Sequence, residues 1–158
     1  MKKIAYWGLL ETLTVPLLVG CSTRKTTSPS TSLSTQKQND TKKLNKTITE
    51  LKKELNSETN IEWISKTTTG VSNADISNGI MIEFYPKNNS DSRIVEKWYA
   101  PEQNTKQLRL LRTTLSKAAK LLTDDNTELS LGFESLQNGK GVVPIARSIK
   151  SMDAIPIN

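Results

Sequence analysis

The chain has 158 residues, one cysteine, no histidine and a formal net charge of +6. The missing histidine excludes Ser-His-Asp and Cys-His triads and any zinc site that uses an imidazole. One cysteine excludes an intrachain disulfide, so carboxylates and Ser-Lys pairs are the remaining routes to catalysis.

The charge is unevenly placed. Residues 1–20 hold Lys2 and Lys3 against Glu11. Residues 21–57 hold eight Lys/Arg against three acids, and residues 58–158 hold twelve of each sign. The basic character therefore belongs to the N-terminal third. Neutralising phosphates needs a concentrated basic face, so no nucleic-acid partner is expected of the balanced remainder.

Lys2 and Lys3 precede a mostly apolar run over residues 4–19, and Gly20 is small. This is the layout of a secretory signal. The run is short for a permanent span, which needs about 20 residues. Glu11 and Pro16 interrupt it, and a charge at a helix centre costs about 2.5–3.5 kcal/mol on insertion scales. The run closes on Leu18, Val19, Gly20 and Cys21. These four residues resemble the lipobox of bacterial lipoproteins, and the resemblance covers residues 1–21 alone. It implies cleavage before Cys21 and a diacylglyceryl group on the Cys21 sulfur. The partner so implied is the membrane, at the extracytoplasmic face of the cell membrane. Two acyl chains suit this task, because each buried CH₂ contributes about 0.8 kcal/mol and one chain binds only marginally. The Asn- and Lys-rich composition resembles Gram-positive surface lipoproteins. In a diderm cell, Ser22 rather than Asp after the cysteine implies the outer membrane.

Residues 21–40 are rich in Ser, Thr, Gln and Lys, with Pro29 and little apolar content beyond Leu33. Such a stretch buries too little surface to offset its ordering entropy, so a disordered tether is expected. Its lysines lie beside the anchor, where each favours an anionic surface by about 1 kcal/mol. Residues 41–57 change character. Leu44, Ile48, Leu51 and Leu55 recur at 4-3-4 spacing, which predicts a short amphipathic helix. A helix of this length is marginal alone, so the stripe needs a partner. Three are open: its own domain, another chain (a second copy, giving self-association, or a different protein), or none, leaving a frayed stalk. The helix is allowed to continue toward Ile61, Trp63 and Ile64.

Residues 58–158 are expected to form one small domain. Residues 66–78 read as a loop. Residues 80–85 alternate apolar and polar side chains and read as a strand, ended by Pro86. Residues 93–99 read as a second strand paired with it in a hairpin. Pro101 suits the first position of a helix, and Leu108, Leu111, Leu115, Ala118 and Leu122 form its apolar face, widened by Ala119 and Leu121. Leu129, Leu131 and Phe133 mark a strand, Asn138-Gly139 a turn, and residues 142–149 a return strand. Pro144 points to an edge position or a bulge, and the last residues trail off. The expected fold is α+β: a small antiparallel sheet of two hairpins in ββαββ order, packed by one amphipathic helix and preceded by the tether and the short helix.

No cofactor and no metal site is expected. Asp124 and Asp125 read as a helix-end turn, and nothing in the spacing of Asp75, Glu83 and Asp91 brings them together. Trp63, Tyr85, Trp98 and Tyr99 are the candidate binding surface, since Tyr and Trp serve both cores and contacts. Leu44, Ile48, Leu51 and Leu55 are the candidate helix contact. The expected function is a lipid-anchored extracytoplasmic binding module for an envelope protein or a wall polymer, and not an enzyme. Two alternatives stand beside it: a small envelope enzyme using carboxylates or Ser-Lys, and a source of a short apolar signalling peptide cut from residues 13–20.

Overall fold

The structure, a computed structural model, describes residues 30–99, 105–135 and 141–156. Cys21, the lipobox residues, Pro101 and Asn138-Gly139 lie outside them. The fold is α+β, with three helices and a five-stranded sheet.

The first helix, α1 (Ser30–Thr59), runs for 30 residues, about 45 Å at 1.5 Å per residue. It is longer than the 41–57 segment expected and begins inside the stretch read as tether. Extending a formed helix is far cheaper than nucleating one. Residues 44–59 supply a docked nucleus, from which the polar N-terminal turns propagate.

The hydrophobic stripe of α1 turns into the domain's own core. Leu51 is 1% exposed and Leu55 fully buried, with Leu44 and Ile48 half-buried against the same core. Self-association through this stripe would require undocking it. The helix stops at Thr59 and does not reach Trp63. Asn60 takes a left-handed conformation (φ 55°) and its N–H closes onto the Asn56 carbonyl at 2.9 Å, an αL cap. The Asn56 side chain then accepts the Trp63 N–H at 2.9 Å. The Trp63 indole N–H donates to Thr59 Oγ1 at 2.9 Å. These bonds reverse the chain into β1 (Trp63–Val71).

β1 replaces the first half of the expected 66–78 loop. Its polar run of threonines resembles loop composition, but Thr favours strands. β1 pairs antiparallel with β2 (Gly79–Pro86), with a register shift between Thr69 and Val71. Gly70 sits at that shift with φ +73°, a backbone state that needs glycine.

The largest correction concerns residues 93–99. They belong to a helix, α2 (Asn89–Tyr99), and not to a strand. Seven alternating residues cannot separate period 2 from period 3.6. The deciding signal lies upstream: Asn88 Oδ1 accepts the Asp91 N–H at 2.9 Å, capping the helix start, and Asp91 favours the positive N-terminal end. Buried Ser92 and Val95 then recur at helical spacing.

α3 (Lys106–Ala119) starts at Thr105, whose hydroxyl accepts the Leu108 N–H at 3.2 Å. Leu108, Leu111, Leu115, Ala118, Ala119 and Leu122 are buried as expected, whereas Leu121, beyond the helix end, is 50% exposed.

Because α2 and α3 intervene, β2 pairs in parallel with β3 (Thr127–Glu134). β3 and β4 (Val142–Ser148) form the expected antiparallel pair. Gly132 faces Pro144 while Leu131 faces Ala146, so Ile145 is the bulged residue. Pro144 is both next to the bulge and beyond the reach of β5, so both expectations for it hold. β5 (Ile155–Pro156) pairs with Ala146 and Arg147 where the chain was expected to trail off. The sheet is mixed, in order β1-β2-β3-β4-β5.

Candidate functional site: the open face of the sheet

Side chains alternate between faces of a strand. Ile82 and Phe84 of β2, and Leu129, Leu131 and Phe133 of β3, share one core with residues of all three helices. The helices therefore cover one face. Among the described residues, no helix covers the other, which only the 72–78 loop overlies, at Glu128 and Arg147.

The pairing register defines that open face. Lys66 faces Glu83, Glu83 faces Ser130, Ser130 faces Arg147, and Arg147 faces Ile155, one row across all five strands. A parallel row holds Thr68, Met81 and Glu128. On the other side Ile64 faces Tyr85, and Gly132 faces Pro144. At about 4.8 Å between strands and 3.3 Å per residue, the face covers on the order of 400–500 Å².

The loop of residues 72–78 closes one end of the face. Asn73 organises it: Oδ1 accepts the N–H groups of Asp75 (2.9 Å) and Ile76 (3.0 Å), an Asx turn. Asn73 Nδ2 donates to Glu128 Oε2 at 2.9 Å, and Glu128 is only 3% exposed. Asp75 Oδ2 lies 3.0 Å from Arg147 Nη1, both side chains being largely screened from solvent. Asp75, Glu128 and Arg147, with Ser148, Ile149, Met152 and Ile155, line a notch of about 170 Å³. Most of that space is open to solvent and the enclosed volume is about 0 Å³, so the notch is a surface dimple and not a metabolite pocket.

Most of the carboxylates singled out by the sequence or lining the notch are committed to structure. Asp75 holds Arg147 and Glu128 takes Asn73. Glu58 accepts from Thr114 at 2.9 Å, tying α1 to α3. Asp124 accepts the Asn126 N–H and Asp125 the Ser151 N–H, so the adjacent pair is a helix-end turn as expected. Asp91 serves the start of α2, and Glu83 sits in the open-face row. Asp75, Glu83 and Asp91 do not meet. Among the described residues, no group of three or more His, Cys, Asp or Glu is placed to hold a metal.

The four aromatic residues do not form one surface. Trp63 is 1% exposed and serves the core. Trp98 and Tyr99 are half-buried on the helical side, where the Tyr99 ring lies 6.0 Å from Phe133 at 52°. Tyr85 alone reaches the open face. The sequence reading missed Asn73, Glu128 and Arg147. The available signals were the Asx-turn spacing of Asn73 and Asp75, and a Glu immediately before the apolar alternation of Leu129, Leu131 and Phe133. No helix among the described residues is long and apolar enough to cross a membrane. The chain matches no protein-family model, no curated protein and no solved structure.

Proposed function

We propose that the chain is a lipid-anchored extracytoplasmic interaction module, tethered through Cys21, whose open sheet face contacts an envelope protein or a wall polymer. The observation that carries this reading is the face itself: five strands wide, mixed in polarity, and left uncovered by the helices. Two of its carboxylates, Asp75 and Glu128, are bound into local structure, which speaks for a contact surface over a reaction centre. The lipobox resemblance supplies the anchor. The face is smaller than the roughly 800 Å² per partner of a standard interface, so the contact extends onto the rim or is transient.

A photo-crosslinking residue at Tyr85, compared in intact cells with one at Leu110 on the helical side, tests the reading. Leu110 is 40% exposed, so both positions admit the probe. One dominant protein or wall fragment captured from position 85 and not from 110 is the expected result. Equal capture from both, or from neither, removes the open face as the contact. Metabolic labelling with palmitate, lost in Cys21→Ala, tests the anchor separately.

A further inference from the structure

We infer that the outer face of α1 rests on an anionic bilayer surface and turns the open sheet face away from it. This rests on the lipid-anchor reading and adds an orientation to it. The buried stripe of α1 is 44-48-51-55. The series 42-46-49-53 has the same spacing, displaced by two residues, which is about 200° around the helix. It holds Lys42, Lys46, Thr49 and Lys53, all exposed. The face pointing away from the core is thus a lysine row, about 16 Å long at 1.5 Å per residue. The acids of the segment lie elsewhere: Glu50 and Glu54 on one flank, and Asp40 nearer the inner side. Lys46 and Glu50 stand 3.8 Å apart with side chains 75% and 55% exposed. An exposed pair in this Lys-before-Glu order is weak, and it leaves Lys46 available to a denser negative surface.

Two further observations set the occupant. The helix starts at Ser30, nine residues after Cys21, so an extended tether keeps it within about 30 Å of the anchor. Residues 58–158 carry equal numbers of basic and acidic side chains overall, and an acid-free basic stretch within them, exposed Lys106, Arg109 and Lys117 of α3, lies on the same helical side of the sheet as α1. Each lysine near an anionic leaflet strengthens binding about fivefold. Three alone bind weakly, but the anchor makes the contact intramolecular and raises its effective concentration. The helices lie on one side of the sheet and the open face on the other. Seating α1 on lipid therefore presents the open face outward.

The orientation is testable because Cys21 is the only cysteine and is blocked when acylated, so one added cysteine takes a fluorophore. The full lipidated chain carries Thr49→Cys on the outer helix face or Lys66→Cys on the open face. Each is bound to vesicles of phosphatidylcholine, with or without phosphatidylglycerol, containing a headgroup quencher. The expected result is flotation with both vesicles, with the residue-49 probe quenched only on the anionic ones and the residue-66 probe on neither. Lys42→Glu/Lys46→Glu/Lys53→Glu, which alters only exposed positions, abolishes the difference. Flotation with both but equal quenching at residue 49, or quenching at residue 66, overturns the orientation and leaves the anchor standing. Flotation with anionic vesicles alone supports the lysine face and refutes the anchor. Flotation with neither refutes both.

Discussion

Leu55→Ala examines whether α1 belongs to the domain. Leu55 is fully buried and shares its core with Trp63, Leu111 and Leu131. A buried Leu→Ala change loses the transfer free energy of the removed carbons and adds a cavity term, together about 2–5 kcal/mol. With no exposed path for collapse, about 3 kcal/mol is expected here. For a domain of this size that lowers the melting temperature by about 10–20 °C. Leu44→Ala, half-buried about three turns earlier in the contact, should cost about 1 kcal/mol. Leu121→Ala, half exposed, should stay within about 0.5 kcal/mol. Differential scanning calorimetry of the three variants gives the ranking. If Leu55→Ala melts with the parent while far-ultraviolet dichroism still reports the helix, α1 is not docked as described. If the melting temperature instead rises with protein concentration, the stripe is docked on a second copy.

Asn73→Ala removes the donor to buried Glu128 and the Oδ1 acceptor shared by the Asp75 and Ile76 N–H groups, so denaturant unfolding should register a loss of about 2–3 kcal/mol. Adding Glu128→Ala should recover part of that loss, because the stranded carboxylate is gone; strict additivity would sever the claimed coupling. Trp63→Phe deletes the indole bond to Thr59 and should cost about 1–2 kcal/mol by urea titration, with no loss of α1 helicity. At Gly79 an added Cβ would collide with the Asn126 carbonyl oxygen, so Gly79→Ala should destabilise by about 1–3 kcal/mol, and a neutral result would show that the β2–β3 approach is looser than described.

Elements with long, clean periodicity were legible in the sequence, and those whose identity depends on neighbours were not. α3 showed itself through five apolar residues at helical spacing, β2 and β3 through alternation, and β4 as the return strand after Asn138-Gly139. β1 was hidden because an edge strand has one partner and presents Lys66, Thr67 and Thr69 to solvent, which mimics a loop. α2 was hidden because its seven-residue apolar pattern fits both periods, and Asn88 looked like turn chemistry when it was a cap. Misreading α2 also hid the parallel β2–β3 pairing, since parallel strands need a crossover. The Asn73–Glu128 contact spans 55 residues and depends on that pairing, so no local pattern could announce it.

The open face also bears on why its central strand stays buried with no helix above it. Glu128 and Ser130 are each 3% exposed, yet they point away from the helical core. Their register neighbours are long: Met81 beside Glu128, and Glu83 and Arg147 on either side of Ser130. Directly paired residues lie about 5 Å apart, close enough for such side chains to lie over a small one. The face is a shallow trough, walled by Glu83 and Arg147 over a floor of Ser130 and Gly132. This shape separates contact from stability. Tyr85→Ser, on the face, should abolish capture by a cross-linker placed at Lys66 while lowering stability by about 1 kcal/mol or less. Trp98→Ser, half-buried on the helical side, should cost about 2–3 kcal/mol and leave capture intact in the folded fraction. Loss of capture in Trp98→Ser at a temperature where calorimetry reports it folded would move the contact to the helical side. The interaction reading would then have to be rebuilt around α2.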